Sequence, residues 1–394
     1  MRKASRVTVA VLAASALIGP GVQPAQAGTK TSGGLSTVDH HPGRQGPPLR
    51  WAAPRDLRIG TAVAGGGHHL EQPYPDPFTY DRPYRKILAR EFSSVSPENQ
   101  MKWEFIHPER GRYNFGPADA IVKFARQHGQ AVRGHTLLWH SQNPAWLEEG
   151  TFTKQELRAI LKEHITTVVG RYRGKIQQWD VANEIFNENG EYRQENIFLR
   201  ELGPGIVADA FRWAHRADPR AKLFLNDYGV DWPGVKVDAY ETLARQLLAD
   251  RVPLHGFASQ AHLSMRYGAP DQLRTVLQRF DDLGLETAIT ELDVRMDLPA
   301  GGEPTAEQLQ TQAAYYKTVL DACLAVDDCT SFTIWGFTDK YSWVPVFFPA
   351  EGAATVMSGD FERKPAYFSL RDTLLAARFP ARFPARFPAR FPAR

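Results

Sequence analysis

IQQWDVANE at residues 176–184 and KLFLNDY at residues 222–228 are short apolar runs. One ends in Asn183-Glu184, the other in Asn226-Asp227-Tyr228. Runs of this length, apolar at the centre and polar at the ends, suit strands of a parallel sheet. Outward from them the pattern recurs at 57–63 (LRIGTAV), 92–99 (FSSVSPEN), 131–139 (AVRGHTLLW), 256–263 (GFASQAHL), 286–294 (ETAITELDV) and 330–337 (TSFTIWGF). Amphipathic segments alternate with them. Residues 118–125 space their apolar side chains for one helix face, and 153–170, 236–250, 270–283 and 305–325 do likewise. Pro270 and Asp271 open one of these helices, and Gly284 follows its end. Eight strand–helix units of roughly 30–45 residues predict a single (β/α)8 TIM barrel, of class α/β, over 55–377. A doubly wound open sheet is the main rival, but it wants a phosphate-binding G-x-G-x-x-G turn after its first strand. Here Gly65-Gly66-Gly67 runs into His68-His69 instead, and reads as a mobile loop.

The 394 residues are 43% hydrophobic and 23% charged, which excludes a collagen, a long coiled coil and a wholly disordered chain. Net charge is +3, but it is unevenly placed. Residues 1–27 contribute +3 and residues 378–394 contribute +5, which leaves −5 for residues 28–377. The folded part therefore gives no support to a nucleic-acid partner. MRKASR, the apolar run VTVAVLAASALIG and Ala25-Gln26-Ala27 form a secretory signal peptide, with cleavage expected after Ala27. That run is too short to anchor a membrane, and no other stretch is apolar enough to span one. The protein is expected to be secreted, extracellular and monomeric. Residues 28–54, rich in Gly, Pro, Ser and Thr, read as a linker. The Arg-Phe-Pro-Ala repeats of 378–394 carry proline at every fourth residue, so they are expected to be extended or disordered. Cys323 and Cys329 are the only cysteines, and in an oxidising compartment they read as a disulfide.

In such barrels the chemistry gathers at the carboxyl ends of the strands. Those ends hold Glu98, Asn99, Lys102, His135, Trp139, Asn183, Glu184, Tyr228, Gln260, His262, Glu291, Asp293, Trp335 and Trp343. Any one of them suits a solvated loop, but seven strand ends together suit a site for a neutral, hydroxyl-rich ligand. Indole faces stack on sugar rings while carboxylates and amides grip hydroxyls. Glu184 and Glu291, three strands apart around the ring, face one another across the mouth. Glycoside hydrolysis needs one carboxylic acid and one carboxylate in this way. A gap of about 5–5.5 Å means retention and a wider one inversion. Asp293 and His262 are expected to keep Glu291 ionised, as a nucleophile requires. Glu184, with Trp179, Val181 and Ile185 for neighbours, is expected to sit in an apolar setting that keeps it protonated.

The segments VSPENQMKW (95–103), GHTLLWHSQNPAW (134–146), WDVANE (179–184), LFLNDY (223–228), SQAHL (259–263), ITELDV (289–294), WGFTDKYSWVP (335–345) and KPAY (364–367) resemble the successive signatures of glycoside hydrolase family 10. These are the endo-1,4-β-xylanases, and the likeness runs in order from about residue 57 to about residue 375. The resemblance implies retention, Glu184 as acid/base and Glu291 as nucleophile. It implies that Glu98, Asn99 and Lys102 hold sugars on the non-reducing side. His135, Trp139, Asn183, Gln260, His262, Trp335 and Trp343 would line the cleavage subsite, with Asn183 on the 2-hydroxyl and Tyr228 on the leaving-group side. Xylan and xylo-oligosaccharides would be its partners, with no cofactor and no metal. Cys323–Cys329 matches a disulfide of secreted bacterial members. Two features depart from the family: Ala182 replaces a larger aliphatic residue, and the repeated tail has no counterpart.

Three rival readings remain. A related barrel glycosidase acting on cellulose or mixed β-glucan would use the same two glutamates. A metal-dependent hydrolase wants H-x-H after the first strand, where this chain has adjacent His68-His69. A catalytically inactive xylan-binding or inhibitor protein would generally have lost one glutamate, and this chain keeps both.

Overall fold

The computed structural model describes residues 46–65, 76–298 and 302–380. The expected signal peptide, residues 28–45 of the expected linker, Gly66-Gly67 with His68-His69, and the repeats from 381 onward lie outside the described residues.

Eight parallel strands form the barrel: β1 (Arg58–Val63), β2 (Ser94–Pro97), β3 (Ala131–Gly134), β4 (Gln178–Asn183), β5 (Lys222–Asp227), β6 (Gly256–Ser259), β7 (Glu286–Asp297) and β8 (Cys329–Ile334). Each pairs with the next, and β8 closes on β1 with Ser331 opposite Arg58 and Thr333 opposite Gly60. All eight lie within or across the runs read from sequence. Beyond the mouth, the three-residue strand His262–Ser264 and the two-residue strand Glu351–Gly352 both pair with the far end of β7. That extension brings His262 opposite Asp293. Inside, the fully buried Trp179 indole fills space that Gly134 leaves open. A Cβ on Gly134 would stand 2.2 Å from that ring, so this position admits glycine alone.

One long helix follows each strand: Arg82–Glu91, Gly116–Gln127, Lys154–Arg171, Gly205–Ala217, Val235–Ala249, Leu273–Asp281, Ala306–Leu324 and Pro365–Arg378. The first, fourth and eighth carry no segment named from periodicity. Leu273–Asp281 begins later than Pro270 suggested, because Gln272 occupies its N-cap. Thr153 with Glu156 and Thr305 with Gln308 form capping boxes that set two of the other starts.

Two boundaries differ from the sequence reading. The linker expected over 28–54 ends early, because Leu49–Ala52 is helical and its Leu49 and Ala52 are buried. Leu49 N donates to Glu91 Oε2 at 3.0 Å, and Arg50 Nη1 donates to the Ala89 carbonyl at 2.9 Å. Two apolar side chains in a Gly- and Pro-rich stretch are enough to dock it. At the other end Arg378 closes the last helix rather than opening an extended tail, and its guanidinium donates to the carbonyls of Trp51 and Ala53.

Cys323 and Cys329 form a disulfide with Cα atoms 5.4 Å apart, joining the end of Ala306–Leu324 to β8. Its loop is short, so chain entropy gives it only about 2 kcal/mol. Cys323→Ser with Cys329→Ser should lower Tm by about 3 °C in calorimetry and leave activity unchanged. A fall beyond about 10 °C would show that the bond organises more than this loop.

Candidate active site

The strand ends open on one cleft. Lys102, His135, Trp139, Glu184, Tyr228, Gln260, His262, Glu291, Trp335 and Trp343 all line it. Glu98, Asn99, Asn183 and Asp293 are buried beside it, and the last three hydrogen-bond to lining groups. Gln142, Arg295, Phe347 and Phe348 also line the cleft and were not singled out in the sequence. Gln142 lies in a loop whose composition marks nothing. The two phenylalanines sit in a short segment after Trp343 that resembles an ordinary apolar turn.

Glu291 projects from β7. Asn226 Nδ2 donates to its Oε1 at 2.8 Å, and His262 Nε2 lies 3.4 Å from its Oε2. His262 Nδ1 lies 2.8 Å from Asp293 Oδ2, an oxygen that also accepts the Trp343 indole N–H at 2.8 Å. Burial works against a charged His262, but Asp293 and Glu291 outweigh it and lift its pKa to about 10. At neutral pH an imidazolium therefore stands 3.4 Å from Glu291 Oε2. From below, His135 Nδ1 lies 3.0 Å from Asp180 Oδ2, and Arg133 Nη2 is 2.5 Å from Asp180 Oδ1. Burial alone would raise the Asp180 carboxyl, but Arg133 and His135 hold it below its ordinary value. The distance from His135 Nδ1 to Glu291 Oε1 is 3.8 Å, so His135 supports the floor of the cleft through this buried pair.

Glu184 follows β4 with φ at +52°, in the left-handed region. A non-glycine residue there costs on the order of 1 kcal/mol, and the surroundings hold it. Glu184 N donates to the Asn226 carbonyl at 2.9 Å, and its own carbonyl accepts Arg193 Nε at 3.0 Å. Its Oε1 accepts Asn183 Nδ2 and Gln260 Nε2, both at 3.0 Å. Asn226 Nδ2 also donates to Asn183 Oδ1 at 2.8 Å, so two amides link the carboxylates. This environment corrects the apolar setting expected for Glu184. Burial raises its pKa, but His140, the Gln260 amide and Arg193 outweigh burial and hold the carboxyl below its ordinary value. The sequence neighbours Trp179, Val181 and Ile185 are fully buried in the core instead. Ala182, the departure noted above, is fully buried too, paired with Leu225 and bridged to Leu138.

Arg193 carries more than the sequence signalled. It binds the Glu184 carbonyl, the Phe186 carbonyl at 3.2 Å and the Tyr228 hydroxyl at 3.1 Å, so one guanidinium ties the bend at Glu184 to Tyr228. Removing a cation makes a nearby carboxyl harder to ionise, so in Arg193→Gln the protonated acid should persist to higher pH. The alkaline limb of kcat/KM should then move upward, while kcat/KM near neutrality falls roughly tenfold through the lost hydrogen bonds. An unmoved limb in a pH–rate series would remove Arg193 from this role.

On the far side Lys102 Nζ donates to Asn99 Oδ1 at 3.2 Å and Gln142 Oε1 at 2.8 Å, and lies 4.9 Å from the Trp139 ring centre. Asn99 Nδ2 donates to the Gly65 carbonyl at 3.3 Å, and Gly65 N donates to Glu98 Oε2 at 3.2 Å. Burial pushes Glu98 up to about 7, although Lys102 opposes it. Together these groups offer donors and acceptors at fixed positions beside an indole face. Among the described residues no group of three His, Cys, Asp or Glu side chains could hold a metal ion.

The profile of glycosyl hydrolase family 10 matches residues 52–373. The chain belongs to that family. Endo-1,4-beta-xylanase A of Fusarium oxysporum f. sp. lycopersici is 42% identical over 293 residues, 72% of this chain and 88% of the relative. Endo-1,4-beta-xylanase B of Thermotoga neapolitana is 39% identical over 332 residues, 84% of this chain and 93% of the relative. Among solved structures, xylanase 10B of Thermotoga petrophila RKU-1 in complex with xylobiose superposes with a TM-score of 0.77 at 37% identity, covering 84% of this chain and 98% of that one. Relatives of this family 10 chain include fungal enzymes, so the match does not single out the secreted bacterial type that the disulfide suggested.

Proposed function

We propose that this chain is an endo-1,4-β-xylanase that hydrolyses internal bonds of xylan by a retaining double displacement. The carrying observation is that Glu184 and Glu291 enter one cleft joined by Asn183 and Asn226, each carboxylate with its own set of polar partners. Glu291, beside the His262 imidazolium, attacks the anomeric carbon. Glu184 protonates the leaving oxygen from the protonated fraction that its lowered pKa leaves, then takes the proton from the water that releases the glycosyl-enzyme. Glu98, Asn99 and Lys102 bind sugars on the non-reducing side, and Tyr228 meets the leaving chain. Trp335, Trp343 and Trp139 wall the cleavage subsite. Xylanase relatives, one of them solved with xylobiose, support the choice of xylan over cellulose. The test follows the anomeric proton by NMR during xylotetraose cleavage. β-Anomer first is the expected product, while α-anomer first would overturn retention. Faster cleavage of carboxymethyl-cellulose than of xylan would overturn the substrate.

Residues 1–27 are proposed as a cleaved export signal and the enzyme as an extracellular monomer. No helix among the described residues is long and apolar enough to cross a membrane. Amino-terminal sequencing of exported protein should begin at Gly28, and sedimentation should give one chain.

A further inference from the structure

The part of the chain between signal and tail is net acidic, yet one flank of the barrel has the opposite sign. Helices Arg82–Glu91 and Gly116–Gln127 border a groove lined by Arg82, Arg85, Lys86, Arg90, Phe124 and His128, with no carboxylate in the lining. Arg82 and Lys86 are exposed, and neither has an acidic partner among the described residues. Arg85 Nη1 donates to the carbonyls of Phe78 and Thr79, both at 2.7 Å, which fixes the guanidinium without neutralising it. Arg90 reaches Glu91 at 2.7 Å, but that buried carboxylate already serves Arg363 and the Tyr367 hydroxyl. Across Gly116–Gln127 a second groove presents Lys123, Arg126 and Lys175. Its one carboxylate, Asp119, is paired with Arg171. The Phe124 ring is half-buried and wedged between Phe78 and His128, with centroids 5.4 and 4.1 Å away. It gives the first groove a rigid apolar floor.

A band of uncompensated cations beside a fixed ring suits a ligand that carries carboxylates on sugar rings. Guanidinium binds a carboxylate bidentately, and the C–H face of a pyranose packs on an aromatic ring. We propose that this flank is a second polysaccharide-binding surface that holds uronate-bearing xylan outside the cleft. The inference rests on the xylanase reading above, and it adds the class of side group that the bound polymer carries. The surface lies on the helical wall of the barrel, so a chain held there leaves the catalytic mouth free.

The test compares the full chain with Arg82→Glu/Lys86→Glu and with the milder Arg82→Gln/Lys86→Gln. Both positions are exposed, so the fold should hold, and a melting curve checks it. Retention on insoluble glucuronoxylan is measured from about 20 mM to about 300 mM salt, beside the same polymer after carboxyl reduction. At low salt the charge-reversed variant should be retained at least fivefold less and the Gln variant about twofold less. High salt or carboxyl reduction should erase both differences. Every protein in the comparison carries the same basic tail, so the tail cancels. Equal retention of the variants overturns the proposal. A difference that persists on reduced polymer, or displacement of bound enzyme by duplex DNA more readily than by polyglucuronate, overturns it as well. Xylotetraose hydrolysis should stay within twofold throughout. If the unaltered chain fails to cleave xylotetraose, the xylanase reading falls separately, and the retention result still stands or falls by itself.

Discussion

Glu291→Ala is expected to lower kcat on xylan by about 10⁴–10⁶-fold, about 5–8 kcal/mol of lost transition-state stabilisation. Xylo-oligosaccharide binding should stay within about tenfold. The asymmetry follows from where Glu291 sits. It is buried, hydrogen-bonded to Asn226 and close to His262, so in the proposed mechanism it serves the anomeric carbon and does little to hold the chain. In the proposed binding mode sugar contacts come from other elements, among them the Lys102, Asn99 and Gln142 cluster and the three indoles that border the cleft. Without the carboxylate no glycosyl-enzyme can form, and an apolar methyl cannot stabilise an oxocarbenium-like transition state. His262 then keeps Asp293 alone as its counter-ion, so stability should fall as well. Glu291→Gln, which restores bulk and hydrogen bonding without charge, separates the two losses. It should recover most of the melting temperature and almost none of the rate. Steady-state rates on xylan with calorimetric binding of xylotriose would check this, and full activity in either variant would refute the nucleophile assignment.

The strands were legible because most are short runs rich in apolar residues between polar loops, and burial on both faces is what a closed parallel barrel demands. Helices such as Arg82–Glu91 were not. That segment, RPYRKILARE, buries only Tyr84, Leu88 and Glu91, and five of its ten side chains are charged. Loop polarity marked the strand ends, so the lining groups could be found from their chemistry. Partners that act across strands could not. Asn226 is one amide among many until β4 and β5 align it with Asn183, and β7 carries Glu291 to within a hydrogen bond. Arg193 is nine residues from Glu184 in a loop, where arginine is common. The Glu184 carboxylate departs from its sequence neighbours for a related reason. Successive residues near a strand end point to different faces, so Val181 and Ile185 enter the core while the carboxylate meets Gln260, which sits beyond the end of β6.

Glu184→Ala gives the second large effect, and its size depends on the substrate. On xylan the leaving group is a sugar hydroxyl, which departs poorly as an alkoxide, so losing the proton donor should reduce kcat/KM by about 10³–10⁴-fold. An aryl β-xylobioside whose phenol is acidic leaves without a proton, and its first step should slow by less than about tenfold. The second step still lacks its base, so the glycosyl-enzyme should accumulate and a burst of phenol should precede a slow steady state. Azide needs no deprotonation to attack. It should therefore restore turnover and yield the β-xylobiosyl azide, a product with retained configuration. The polar shell of Glu184 sharpens the expectation, because Asn183, Gln260 and Arg193 remain in place in the variant and keep the subsite shaped for a small anion. Were Glu184 merely a structural strand-end ion pair, both substrates would suffer alike and azide would do nothing. Burst kinetics on the aryl glycoside, with and without azide, distinguish these cases. Equal losses on the two substrates with no azide product would transfer the acid/base role to another group in the cleft.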